Sequence, residues 1–72
     1  MSLIDLGRTE LELLIDEWII GYDAETRRQM LKARLFDGLT FEKLAEKFDK
    51  SPRHTRKIIH ECEETLFKHI PG

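Results

Sequence analysis

Four basic side chains recur at helical spacing in the second half of the chain, at Arg53, Arg56, Lys57 and His60. Positions i, i+3, i+4 and i+7 share one face of an α-helix, so a helix through this stretch presents all four together. Arginine can donate two parallel hydrogen bonds to O6 and N7 of guanine, and lysine can reach the same atoms. The spacing predicts a helix face that contacts base edges in the major groove; the alternative is a solvated basic surface.

A second group of residues has the types that hold phosphate oxygens. Basic side chains attract phosphate through charge, and hydroxyl or N–H groups at a helix N-terminus add hydrogen bonds. Such contacts give affinity and orientation but no sequence information. The predicted phosphate contacts are Arg27, Arg28, Thr40, Lys43, Ser51 and His54. For the basic members the alternative is again a solvated surface charge.

Few other residues in the chain suggest chemistry. The candidate metal ligands are His54, His60, Cys62 and His69. Their spacing does not place four ligands on one helix face, so we expect no metal site and no cofactor. No glycine-rich phosphate loop is present and Cys62 has no obvious base beside it, which argues against an enzyme. We expect Cys62 to be a small buried apolar residue.

Apolar residues at helical spacing predict an all-α bundle of about four helices that contains a helix-turn-helix. The predicted helices cover about residues 10–20, 24–36, 41–48 and 52–69. The expected N-caps are Thr9, in a capping box with Glu12, and then Asp23, Thr40 and Ser51. Pro52 suits the first position of the last helix because its missing N–H needs no partner there. In the turn before it, Asp49 is predicted to be left-handed.

The predicted first helix has more apolar surface than a lone surface helix needs. Its main stripe is Leu11, Leu14, Ile15, Trp18 and Ile19, which Leu13 and Ile20 widen, and Gly21 is expected to end the helix. In the last helix one face is predicted to carry Thr55, Ile58, Cys62, Thr65 or Leu66, and His69, with Ile59, Phe67 and Ile70 as a second, partial apolar strip. The wide apolar surface of the first helix could cover the core alone, or it could also contact a second copy of the chain. We expect the second case, a homodimer.

Composition fits a small folded domain, and a net charge of −2 does not exclude a nucleic-acid partner, because the basic residues are concentrated in one part of the chain; the alternative is that charge on solvated helices clusters by chance. Of the 72 residues, 40% are hydrophobic and 36% are charged, which is typical of a folded helical domain. Residues 26–60 carry ten basic and four acidic residues, whereas residues 1–25 carry seven acidic and one basic. No apolar run approaches the roughly 20 residues that span a bilayer, and the N-terminus lacks a signal-peptide pattern. The single cysteine favours a reducing cytoplasm.

Residues 27–69 resemble region 4 of bacterial sigma factors and the related DNA-binding domain of LuxR-type response regulators. The resemblance is carried by residues 31–35 (LKARL), 38–45 (GLTFEKLA), 51–58 (SPRHTRKI) and 66–67 (LF). The whole sequence is similar to small stand-alone regulators of Gram-positive bacteria and their phages. The family fold is all-α with its last helix in the major groove, and the family prefers a β-branched apolar residue where Thr55 stands.

We therefore predict a sequence-specific double-stranded DNA-binding regulator of transcription. Residues 1–22 would form a capping or dimerisation helix and residues 23–72 the DNA-binding domain. The alternative is a protein-interaction adaptor that uses the same fold to dock on RNA polymerase or another transcription factor through its acidic first helix.

Overall fold

The computed structural model describes residues 6–70, and within them the fold is a bundle of four helices with no strand. Helix α1 spans Arg8–Trp18, α2 spans Ala24–Phe36, α3 spans Phe41–Lys47 and α4 spans Pro52–Phe67. The predicted all-α class and the number of helices are confirmed. The described part of the chain measures 34 × 24 × 17 Å. Helices α3 and α4 are separate helices, because residues 48–51 interrupt them.

The apolar stripes of the four helices meet in one core. Its buried members are Leu11, Ile15, Ile19, Met30, Leu31, Ala33, Leu44, Ile58, Ile59, Cys62 and Leu66. Ile59, which the sequence assigns to the second, partial strip of the last helix, is fully buried in this core. Helix α4 packs against all three other helices, and its buried arc is therefore wider than one stripe. The predicted burial of Cys62 is confirmed.

Helix α1 begins and ends two residues earlier than predicted. Gly7 takes the N-cap position and its carbonyl accepts the N–H of Leu11 at 3.0 Å. The predicted capping box of Thr9 and Glu12 is wrong, since Thr9 lies inside the first turn and Glu12 accepts from Nε of Arg8 at 3.1 Å. At the other end the chain leaves the helix at residue 19, whose side chain turns into the core.

The loop from α1 to α2 turns through two residues of positive φ, Gly21 at 96° and Asp23 at 57°. Gly21 therefore has the backbone conformation expected of it, but it lies two residues beyond the C-cap of α1. Asp23 precedes α2 as predicted, although its carboxylate makes no capping hydrogen bond within residues 6–70. Instead Arg28 closes the loop, because its Nε donates to the carbonyl of Ile19 at 2.8 Å.

Helix α2 ends at Phe36 as predicted, and Gly38 turns the chain with a φ of 67°. Leu39 then packs against the core. Helix α4 ends at Phe67, two residues before the predicted end. The predicted chain end at residues 71–72, and residues 1–5 of the predicted N-terminal unit, lie outside the described residues. No helix that the structure describes combines the length and the apolar character needed to cross a bilayer.

Candidate nucleic-acid interface

The turn between α3 and α4 is held by backbone hydrogen bonds. The N–H of Lys50 donates to the carbonyl of Ala45 at 2.8 Å, and the N–H of Asp49 donates to that of Glu46 at 3.4 Å. This pair of bonds is a Schellman motif, which needs a left-handed residue just after the helix. Asp49 supplies it with a φ of 54°, as predicted. Only residues 48–51 separate the two helices, so the start of α4 is placed by the end of α3.

Both predicted caps of the helix-turn-helix are confirmed. Oγ1 of Thr40 accepts the N–H of Lys43 at 3.2 Å, and Oγ of Ser51 accepts the N–H of His54 at 3.1 Å. Each hydroxyl still has its own hydrogen to donate. Capping is therefore compatible with the predicted phosphate contacts of Thr40 and Ser51, both of which are exposed.

The predicted base-contacting side chains share the solvent side of α4. Arg53, Arg56, Lys57 and His60 are all exposed. Among the described residues, no ion pair involves any of the four. From Arg53 to His60 the helix rises about 10 Å, which corresponds to roughly three base pairs. This surface, residues 53, 56, 57 and 60, is called the basic face below.

An open groove of about 390 Å³ borders the basic face, between α2 and the first turns of α4. Its lining includes Arg27, Ser51, Arg53, His54 and Lys57. The structure therefore brings three predicted phosphate contacts together with two predicted base contacts. One acidic residue, Glu61, also lines the groove, and its Oε2 lies 3.9 Å from Nη2 of Arg27. The groove has an excess of positive charge, which suits a phosphate group.

The remaining predicted phosphate contacts lie elsewhere. Thr40 and Lys43 are exposed at the start of α3 and do not line the groove. Arg28 in α2 is half-buried against the α1–α2 loop. Its Nε donates to the carbonyl of Ile19, and its Nη1 lies 4.0 Å from the carboxylate of Glu25. That guanidinium has a structural task that sequence reasoning missed, and its phosphate contact stays a prediction.

Arg56 lies at the edge of the basic face that meets α3. Its Cζ is 5.1 Å from the centroid of the Phe41 ring, and the Cζ of Arg34 is 4.5 Å from the same centroid. The ring is half-buried, packing on the core while meeting two guanidinium groups. No local pattern in the sequence signals a contact that joins three helices.

Other groups in the described residues offer little chemistry. No three His, Cys, Asp or Glu side chains within residues 6–70 come together around a possible metal position. Burial raises the pKa of the Cys62 thiol, the carboxylates of Glu61 and Glu63 raise it further, and Arg27 lowers it. The thiol therefore stays protonated at neutral pH, which makes it a poor nucleophile.

Comparisons with protein-family models, with curated proteins and with solved structures found no match to this chain. The resemblance to sigma region 4 and LuxR-type domains thus rests on the sequence segments quoted above, and membership of that family stays a prediction. The geometry of the helix-turn-helix and the charge around it are the observations from which a function can be argued.

Proposed function

We propose that the protein is a sequence-specific double-stranded DNA-binding regulator of transcription that places α4 in the major groove. The observation that carries the proposal is the basic face, whose four side chains are exposed and directly follow a tight turn. A good bidentate contact of arginine with guanine discriminates against the wrong base by about 1–3 kcal/mol. Arg53 and Arg56 are the strongest candidates, with Lys57 and His60 beside them.

The charge along α4 supports a particular orientation on DNA. Its first half carries the basic face, whereas Glu61, Glu63 and Glu64 follow in its second half. Phosphates repel the acidic half, so the helix would enter the groove with its N-terminal end. With α4 in that orientation, a backbone phosphate beside the major groove could bind in the groove lined by Arg27 and Ser51.

Selection from a random DNA library, followed by fluorescence anisotropy on the selected sequence, tests the proposal. Arg56→Ala should weaken binding to the selected sequence by about 10-fold or more, because one bidentate contact is lost. Lys68→Ala is the matched control, since Lys68 is exposed at the far end of α4 and should matter little. Affinity should fall steeply with salt as counterions are released. Absence of binding at low salt would refute the proposal.

A protein-interaction adaptor is the second candidate, and a different observation favours it. Large apolar side chains are exposed on and after the acidic helix α1, with Leu13 63%, Ile20 66% and Tyr22 93% accessible. Purified RNA polymerase is the partner to test. Binding that is lost in Leu13→Asp but kept in Arg56→Ala would favour the adaptor over the DNA-binding protein.

The expected homodimer would use the same apolar side chains, which lie on and just after α1. Two copies that cover Leu13 and Ile20 could place two α4 helices one DNA turn apart, roughly 34 Å. A dimer in sedimentation equilibrium together with a palindromic selected site is the expected result. A monomer that selects a non-palindromic site would contradict it.

A further inference from the structure

The Phe41 ring joins the basic face to the rest of the fold. It belongs to the first turn of α3, and it meets Arg34 from α2 and Arg56 from α4 at 4.5 and 5.1 Å from its centroid. Nη1 of Arg34 donates to the carbonyl of Leu39 at 2.8 Å, which ties that guanidinium to the backbone just before α3. The ring therefore has one fixed cation and one exposed cation against it.

This contact distinguishes Arg56 from its neighbours. Among the described residues, Arg53 and Lys57 lie against no aromatic ring although they share the basic face. An arginine that binds a base must give up rotamer freedom, and a ring that already restricts the side chain reduces that loss. The N–H groups of a guanidinium point in several directions around its edge, so contact with one ring still leaves N–H groups of Arg56 free to donate to guanine.

We infer that Phe41 is a positioning residue for Arg56, which it holds at the edge of α4 that faces α3. Recognition of one base pair then depends on a ring that itself makes no base contact. The inference rests on the proposed function, since it assigns a role at the same face. It predicts that loss of the ring weakens specific binding through Arg56 alone and leaves non-specific DNA binding unchanged.

A double-mutant cycle tests the inference on the DNA sequence that the wild-type protein selects. Phe41→Leu keeps an apolar side chain but removes the ring, and it should weaken specific binding about three- to tenfold. In an Arg56→Ala background the same change should cost less than about twofold. Equal losses in both backgrounds, or no loss in either, would overturn the inference. Phe41→Tyr keeps a ring and should restore binding to within about twofold.

The free protein provides a second measurement that does not need DNA. The side-chain protons of Arg56 should show ring-current shifts in NMR spectra, and Phe41→Tyr should preserve these shifts while Phe41→Leu abolishes them. Ordinary chemical shifts for Arg56 in the wild type would overturn the inference even if DNA binding is strong. A wild type that shows the ring-current shifts but selects no sequence would defeat the proposed function instead, and the positioning role with it.

Discussion

Thr55 presents the sharpest energetic anomaly of the fold, and replacing it by valine should stabilise the protein. The residue is 0% exposed in the second turn of α4, and its Oγ1 has no hydrogen-bond partner among the described residues. A buried hydroxyl without a partner keeps its desolvation cost, about 1–3 kcal/mol, with nothing to offset it. Valine has nearly the same shape, so Thr55→Val removes the cost with only a small change in packing.

The net gain should lie near the lower end of that range. Valine and threonine have similar helix propensities, and the extra methyl group adds a little volume to a tight core. We therefore expect the free energy of unfolding to rise by about 1 kcal/mol. For a domain of this size such a gain corresponds to an increase in Tm of roughly 4–8 °C.

Urea unfolding followed by circular dichroism measures the effect, with an unchanged m-value showing that both states are otherwise the same. Thr65→Val is the matched control on the same helix, because Oγ1 of Thr65 donates to the carbonyl of Glu61 at 3.0 Å. That variant should gain nothing. If Thr55→Val is no more stable than the wild type, the hydroxyl has a partner and the reasoning is wrong.

Three further predictions concern the turn, the groove and the buried thiol. Asp49→Gly should raise the free energy of unfolding in urea by up to about 1 kcal/mol, because a left-handed φ of 54° strains any residue with a β-carbon. A lower free energy of unfolding would show that the Asp49 side chain itself stabilises the turn. Glu61→Gln should strengthen DNA binding about threefold at low salt, because it releases Arg27 from its ion pair with Glu61. Glu64→Gln on the same helix should strengthen binding less. Equal effects of the two changes would contradict a specific role for the Arg27–Glu61 pair. An unfolded cysteine thiol loses its proton near pH 8.5. Burial raises the pKa of the Cys62 thiol in the folded protein, so the folded thiol keeps its proton at that pH. Stability should therefore fall as the pH rises above about 8.5, and Cys62→Ala should remove that fall; an identical pH dependence in the variant would count against it.

The helix-turn-helix could be predicted from the sequence because its signals are local. Thr40 and Ser51 cap helices through their own neighbours, and Asp49 adopts the left-handed conformation within a single turn. Pro52 begins α4 because its missing N–H needs no partner at the first position of a helix. Exposure of the basic face also followed from spacing, since the apolar stripe determines which side of α4 faces the core.

The features that sequence reasoning missed depend on contacts between distant segments. Helix α1 ends early because Ile19 turns into the core, and Nε of Arg28 donates to the carbonyl of Ile19 across the loop. His69 stacks on Trp18 with ring centroids 3.6 Å apart, across 51 positions of sequence. The contacts of Phe41 with two arginines likewise join three helices. Periodicity within one helix contains no information on such pairs.

Fold and candidate function are coupled most closely along α4, where buried and exposed residues alternate within the same turns. Thr55 and Ile58 face the core, while Arg56 and Lys57 between them face solvent. Successive residues differ by about 100° around a helix, so a shift of one residue that moved Arg56 to the position of Thr55 would turn it toward the core. The backbone bonds of Lys50 and the cap of Ser51 prevent that change by fixing where α4 begins. The turn therefore determines which side chains of α4 face solvent, and under the proposed function these are the ones that would contact DNA.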